Sequence, residues 1–401
     1  MIDVLIITAL REELEAARKA GVTSWQEHDG AGAAPYLLGS VNGLSVALAR
    51  ATAMGGRSIG AFTAQLVVKL QPRCLAMSGV CAGNPARTAP GDVIVADPAY
   101  EYDEGLRLGE EFRGDHRHYP QDNRWLRAAQ EFVPTGLPSH GTASEDEAAV
   151  WYLERLYRGQ DPRIHPARTR YFPRFTWEPR LSRLESDGLI AFRTGRWSLT
   201  VDGVERIERV LADDVDGPDT LPFAVLTGPM ASGSAVVRDP AVWDQLTDMG
   251  ERKILALEME AATIATVAHD NQVPHWLVAK GVMDNADFDK EDRFKEFAAR
   301  ASAEVLFALL TELLPPVPAD ASTRAGGAVK LLVVRRLQFG WQDLADVVGV
   351  PSFEQRRFPA GDEPRALWEW LEDRGRLPEL PGALDAIDRS DLADLLRSDP
   401  A

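Results

Sequence analysis

Apolar positions alternate between two spacings over the first third of the chain. Val4–Thr8 is a short apolar run rich in β-branched residues and predicts a buried strand. Leu10–Ala20 has helical spacing, and its acidic first turn, Arg11-Glu12-Glu13, suits the positive end of a helix dipole. Tyr36–Ser40 and Leu44–Ala49 read as a hairpin around Asn42-Gly43. Met54-Gly55-Gly56-Arg57 leads into a helix over Ser58–Leu70. Strands follow at Arg73–Ser78, which ends in Gly79-Val80-Cys81-Ala82-Gly83-Asn84, and at Gly91–Asp97. The alternation resumes with strands at Phe223–Leu226, Lys253–Leu257 and His275–Val282, and helices over Met259–His269 and Phe294–Leu314. Strands alternating with helices imply an α/β fold whose sheet is covered on both faces.

Between about Gly136 and Gly217 the alternation stops. Trp151–Tyr157 and Pro179–Asp187 read as helices, Gly188–Phe192 and Trp197–Thr200 as a hairpin turning at Gly195-Arg196, and Asp202–Leu211 as a last helix. Helix, hairpin, helix in this order resembles a winged helix. Pro315-Pro316-Val317-Pro318 closes the preceding helix, and the small residues of Ala319–Gly327 read as a linker. Beyond it, Val329–Gln338, Trp341–Val348, Glu363–Gly375 and Leu380–Arg397 carry helical spacing and form a small helical bundle. The expected divisions are a core in two parts, 1–135 and 218–316, an insert over 136–217, a linker over 317–328 and a helical domain over 329–401.

Composition narrows the function. At 401 residues the chain is long enough for two or three domains. A net charge of −17 disfavours non-specific binding of the whole chain to nucleic acid or to a membrane surface. The insert differs: Trp151–Leu211 holds 12 Arg against 8 Asp and Glu. Its expected recognition helix, however, sets Arg180 and Arg183 against Glu185 and Asp187, which favours a structural or oligomerisation role over DNA binding. Two cysteines, Cys74 and Cys81, give no disulfide framework. No apolar run approaches the roughly 20 residues that span a bilayer, and no basic, signal-like segment opens the chain. These features together point to a cytoplasmic protein.

The chemistry lies in the acids. Leu257-Glu258-Met259-Glu260-Ala261-Ala262 puts two acids before an Ala-rich helix, and Val282-Met283-Asp284-Asn285-Ala286-Asp287 puts another after a buried strand. With Glu12 and Glu13 they supply what breaking an N-glycosidic bond requires. One carboxyl protonates the departing base, a second polarises water below the sugar carbon, and a third holds the ribose hydroxyls while the ring flattens.

Five stretches, in order, resemble the nucleoside phosphorylase superfamily, nearest its methylthioadenosine/S-adenosylhomocysteine nucleosidase branch. They are Val4–Leu14, the Gly79–Gly83 loop, Gly91–Asp97, Leu257–Ala261 and Val282–Asp287. The resemblance implies a central mixed sheet flanked by helices, assembled as a homo-oligomer through the core. It also implies Glu13 as the water-activating residue, with Glu12 in its place if the register slips, and Asp284 as the acid that protonates the base. Glu260 would bind ribose, with Met259 packing on the sugar and Glu258 near the hydroxyls' edge. Val80, Cys81 and Ala82 and the Ser234–Val237 segment, with Val236 in it, would border the base, and Gly79 opens the same substrate-binding loop. The family often carries an aromatic ring near Val236, and its absence leaves the base identity open. The stretch Ala76–Val80 lacks the phosphate-binding arginine of the phosphorylases, and Val80 stands at the expected hydroxyl position. Water is therefore the expected nucleophile, with no metal or organic cofactor. Arg57, beside Gly55-Gly56, is a candidate grip for a substrate's 5′-phosphates.

Each residue also has a plain structural reading. Glu12 and Glu13 can simply stabilise a helix start, Asp284 can cap a turn, one of Glu258 and Glu260 can be a solvated charge, Arg57 can lie on the surface, and Cys81 can be a packed small residue. The tail, with Leu367-Trp368-Glu369-Trp370-Leu371 at its centre, resembles the effector-associated domains of bacterial conflict systems. That resemblance implies docking, through 329–401, on a partner bearing a like helical domain. The resulting expectation is a regulated purine nucleoside or nucleotide hydrolase acting in anti-phage defence. A housekeeping methylthioadenosine/S-adenosylhomocysteine nucleosidase and a nucleotide-sensing DNA-binding regulator are the alternatives.

Overall fold

A computed structural model describes residues 2–21, 24–28, 35–109, 111–214, 217–288, 292–314, 327–337 and 340–398. The chain divides into two compact units, Met1–Pro315 and Pro316–Ala401. Most of the expected linker lies outside the described residues. Among the described residues no helix is long and apolar enough to cross a membrane.

Among the described residues the first unit has thirteen strands: β1 Val4–Thr8, β2 Gln26–His28, β3 Tyr36–Val41, β4 Leu44–Arg50, β5 Cys74–Gly83, β6 Val93–Glu101, β7 Gly105–Leu108, β8 Glu111–Gly114, β9 Ile190–Arg193, β10 Arg196–Leu199, β11 Val225–Ser232, β12 Ala256–Glu258 and β13 His275–Asp284. Its helices are α1 Arg11–Ala20, α2 Gly56–Leu70, α3 Asn123–Glu131, α4 Glu145–Tyr157, α5 Arg168–Tyr171, α6 Trp177–Ser186, α7 Val201–Asp213, α8 Val242–Asp248, α9 Ala261–Asp270 and α10 Lys295–Leu313. A 3-10 turn, Asp292–Phe294, precedes α10. Nine strands form one mixed sheet in the order β12-β11-β6-β13-β5-β1-β4-β3-β2, and β12 also pairs with β5, which closes one end of the sheet on itself.

Every residue of β1 is buried because helices cover both faces. Leu5 and Ile7 face Ile59 and Leu66 of α2 and Ile264 and Ala265 of α9. Val4 and Ile6 face the opposite way, toward Phe297, Leu306 and Leu310 of α10. Successive side chains of a strand point to opposite faces, so one short apolar run feeds two cores.

Several elements depart from the sequence-based expectation. Strand β11 extends through Gly228-Pro229-Met230 to Ser232, because a register shift between Gly228 and Met230 absorbs the proline that a regular ladder would exclude. The strand expected over Lys253–Leu257 shortens to β12. The helix expected from Met259 begins at Ala261, with Glu260 as its N-cap. Helices α3 and α8 and the hairpin β7–β8 add to the expected elements. Helix α3 buries Trp125 and Ala129, four residues apart on one face, and starts at Asp122, whose carboxylate accepts the backbone N–H groups of Arg124 and Trp125. From α4 to α7 three helices, α4, α5 and α6, precede the hairpin β9–β10, and α7 follows it.

The second unit contains α11 Gly327–Arg336, α12 Trp341–Val347, α13 Ser352–Gln355, α14 Glu363–Asp373, α15 Leu380–Ala386 and α16 Ser390–Ser398. They enclose a core that includes Val333, Leu344, Leu367, Leu371, Leu384 and Leu392. The last two helices stand where one was expected over Leu380–Arg397. Asp388 adopts φ +57° and Arg389 donates its N–H to Leu384 O, and this tight turn lets Leu384 and Leu392 share one core.

Candidate active site

Strands β1 and β5 run parallel, as do β5 and β13, so their carboxyl ends open on one side. Ligand sites of open α/β sheets lie beyond such ends. A cavity of about 220 Å³ occurs there, and Glu13, Glu258, Glu260 and Asp284 all line it.

Three local features aim these acids. Glu13 is buried in the first turn of α1. Its Oε2 accepts the N–H groups of Ala9 (2.8 Å) and Leu10 (2.9 Å), and Oε1 accepts that of Val80 (3.0 Å). It thus satisfies N–H groups orphaned at the helix start and still borders the cavity. Gly79 makes this fit possible: a Cβ there would lie 2.3 Å from Glu13 Oε1. Glu12 is exposed and pairs with Lys295 Nζ at 3.0 Å, so the register puts Glu13, not Glu12, on the cavity wall.

Asp284 owes its direction to a bulge. Val282 lies opposite Cys81 and Asp284 opposite the next residue, Ala82, with Met283 as the extra residue between them. Bulges re-aim side chains in this way. Asp284 Oδ1 also accepts the N–H of Ala286 (2.8 Å), where φ is +57°, so the acid braces the turn that follows.

Glu258 and Glu260 arrive through the antiparallel pairing of β12 with β5, in which Ala256 meets Gly83 and Leu257 meets Ala82. The chain after β12 is thereby directed back past Cys81 and Val80. Glu260 Oε1 accepts the N–H of Gly55 (2.9 Å), whose φ of +94° favours glycine, and its Oε2 lies 3.1 Å from Lys280 Nζ. Lys280 is only 1% exposed and also lies 3.1 Å from Glu258 Oε2. Burial alone would push its ammonium pKa down, but Glu260, Glu258 and Glu13 outweigh this and hold it up. Burial pushes the Glu258 carboxyl up, opposed by Lys280 and assisted by Glu260. Glu258 accepts Ser232 Oγ–H (2.6 Å) and the N–H groups of Glu260 and Ala261, so its oxygens are largely occupied.

Met259, Val80, Cys81 and Val236 line the same cavity. Gly79 lies behind Glu13 rather than on the wall. Arg57 is exposed on the first turn of α2 and is not among the lining residues. Burial drives the Cys81 thiol pKa far up, which suits a packed residue and not a nucleophile. Among the described residues no arginine and no aromatic ring lines the cavity, and no group of His, Cys, Asp and Glu is arranged to hold a metal.

Lys280, Met54, Asp292 and Lys295 escaped the sequence reading. Lys280 had a signal: it is the lone charge in the apolar strand Leu277-Val278-Ala279-Lys280-Gly281-Val282. A charge there must find a partner or raise the cost of folding. Asp292 and Lys295 sit on the turn before α10 and on its first residue, where local sequence says nothing about the distant cavity. Outside the wall, at the end of β6, Glu101 accepts Thr263 Oγ1–H at 3.3 Å. Burial, with Glu258 and Asp103 nearby, pushes its carboxyl up to about 7.

A curated relative from Sinorhizobium fredii (strain NBRC 101917 / NGR234), the uncharacterized protein y4jS, is 22% identical over 269 residues, which is 65% of this chain and 48% of the relative. The chain therefore spans about half the length of that relative. Among solved structures, the 5′-methylthioadenosine/S-adenosylhomocysteine nucleosidase of Neisseria meningitidis is 16% identical with a TM-score of 0.46, covering 78% of this chain and 100% of its own. The corresponding nucleosidase of Streptococcus pneumoniae is 20% identical with a TM-score of 0.48, covering 78% and 100%. The futalosine hydrolase of Helicobacter pylori is 16% identical with a TM-score of 0.47, covering 78% and 98%. Residues 327–399 match the model of Bacterial Death-like domain 3. The Phosphorylase superfamily model matches residues 3–177 and 199–315. With a match over most of its length, the chain belongs to the phosphorylase superfamily.

Proposed function

We propose that this chain hydrolyses the N-glycosidic bond of a purine nucleoside or nucleotide. The observation that carries this reading is the convergence of Glu13, Glu260 and Asp284, distant in sequence, on one cavity. Asp284 delivers a proton to the base as the bond to the sugar carbon breaks and its electron pair moves to the base nitrogen. Glu13 has three backbone donors and, with about four lone-pair sites on a carboxylate, one left to orient and deprotonate water. The water oxygen then bonds the sugar carbon, giving free base and free sugar. Glu260, tethered by Gly55 and Lys280, accepts the ribose hydroxyls, and Met259 packs on the sugar. Glu258 is assigned to the scaffold, because Ser232, two backbone N–H groups and Lys280 already take up its oxygens.

Water is favoured over phosphate as nucleophile because no arginine lines the cavity among the described residues. The death-like match supports a regulated effector, recruited through its C-terminal unit and acting in anti-phage defence, over a housekeeping nucleosidase. On α6 the exposed Arg183 is outnumbered by Glu178 and Glu185, which disfavours the DNA-binding alternative.

The test is incubation with ATP, dATP, AMP, adenosine, inosine, guanosine and methylthioadenosine, with and without phosphate, and chromatography for released base. Release without phosphate is expected for at least one substrate. Asp284→Asn should lower its turnover by about 10² or more, as for loss of a general acid. Near-normal turnover in that variant rejects the assignment.

A further inference from the structure

A turn of three residues, Asp292–Phe294, stands with the start of α10 between two cavities of the first unit. Asp292 and Lys295 border the acid-lined cavity. Arg293 and Phe294 border a second cavity, of about 280 Å³, whose other walls come from α4, α5, α7 and the loops before β6 and β11.

The turn has little to hold it from within. So short a 3-10 turn makes few hydrogen bonds of poor geometry, and Phe294, the N-cap of α10, supplies no side-chain cap. Arg293 ties it down instead. Its Nε donates to Asp214 Oδ2, just past α7, and its Nη1 lies 3.5 Å from Glu154 Oε1 on α4. Asp214 Oδ1 accepts the N–H of Gly217 (3.1 Å). Gly217, at φ +71°, sets its bare Cα against the carbonyl oxygen of Arg293, where a Cβ would collide. Burial would push the Glu154 carboxyl up, but Arg155, Arg293 and Arg158 outweigh it and hold it below the ordinary value. On the opposite side, Lys295 Nζ lies 3.0 Å from Glu12 Oε1, one residue before Glu13.

We propose that Arg293 is a positioning residue. By pairing with Asp214 and Glu154 it sets Asp292 and Lys295 on the wall of the acid-lined cavity, and it makes substrate binding depend on the helical segment 145–213. The inference rests on the nucleosidase reading for its readout. Glu13, Asp284 and Glu260 are seated by other devices: Gly79, the bulge at Met283, and Gly55 with Lys280. Asp292 and Lys295 meet substrate in the ground state and the transition state alike, so displacing them raises KM and spares kcat. Without Arg293, Glu154 keeps Arg155 and Arg158, and Asp214 is partly open to water, so neither carboxylate is left buried alone.

The test is steady-state base release by the full chain, on whichever substrate the panel identifies, for wild type, Arg293→Met, Asp214→Asn, the double variant and Arg158→Met. Arg293→Met should raise KM about tenfold with kcat within about twofold, the scale on which residues remote from a ligand tune its binding. Asp214→Asn should raise KM likewise, and the double variant no further than the larger single effect. Arg158→Met removes a guanidinium from the same Glu154 without touching the turn, and should leave KM at the wild-type value. Asp214→Asn, an isosteric change at a partly exposed site, carries the same test if circular dichroism shows Arg293→Met unfolded. An unchanged KM in the folded variants, a fall in kcat alone, or an equal rise of KM in Arg158→Met overturns the proposal while wild-type activity upholds the nucleosidase reading. Absence of base release from the folded wild type overturns both.

Discussion

Lys280 is the side chain on which the acid cluster turns. Three of the carboxylates around the acid-lined cavity, Glu258, Glu260 and Glu13, raise its pKa, and it pairs directly with the first two. Replacing it by Met would leave two buried carboxylates without their counter-ion. Lys280→Met should therefore destabilise the first unit by about 3–5 kcal/mol, read as a fall in urea midpoint. A midpoint within error of wild type would show that the acids need no buried cation. Glu101 gives a pH signature of the opposite sign from a salt-bridged acid. Its folded pKa of about 7 lies above the ordinary 4.5, so between these values the folded chain keeps a proton that the unfolded chain releases. Stability then falls as pH rises through that window. Glu101→Gln cannot titrate, so the melting temperature of the variant minus that of wild type should grow as pH rises through it. A constant difference would contradict the shift.

Among elements, the approach of α1 to β5 decides whether Glu13 reaches the acid-lined cavity. Helix α1 could make its N-terminal hydrogen bonds anywhere on a sheet edge. Here the bare Cα of Gly79 lets the Glu13 carboxylate reach Val80 N–H. A Gly79→Ala methyl would lie 2.3 Å from Glu13 Oε1 and push it aside. The expected result is base release lowered by about 10²-fold or more, as for a misplaced catalytic group, with the far-ultraviolet dichroism of the fold retained. Activity equal to wild type would mean that Glu13 does not need this seat. The bulge at Met283 acts likewise for Asp284, and the β12–β5 pairing for Glu260. Each device belongs to a pair of elements, not to one.

For the molecule as a whole, each of the two compact units has its own apolar core. A unit with its own core can fold alone. A chain ending at residue 315 should melt cooperatively and release base at about the rate of the full chain, measured on whichever substrate the panel identifies. Loss of folding on truncation would show that the C-terminal unit completes the first.

The sequence by itself determined the alternating elements of the core, because burial on two faces forces continuous apolar runs in β1 and β13. It also determined the candidate acids, since a Glu at a helix start and an Asp at a strand end are local patterns. It did not reveal Lys280 as the hub, the rim residues Asp292 and Lys295, the bulge behind Asp284 or the second cavity. Nor could it show that Glu13 braces a helix and lines a cavity at once. Only the tertiary structure decided these, because they depend on strand register and on which backbone passes close to which side chain. Those quantities are set by contacts between residues hundreds of positions apart, such as Gly55 with Glu260, and no local spacing encodes them.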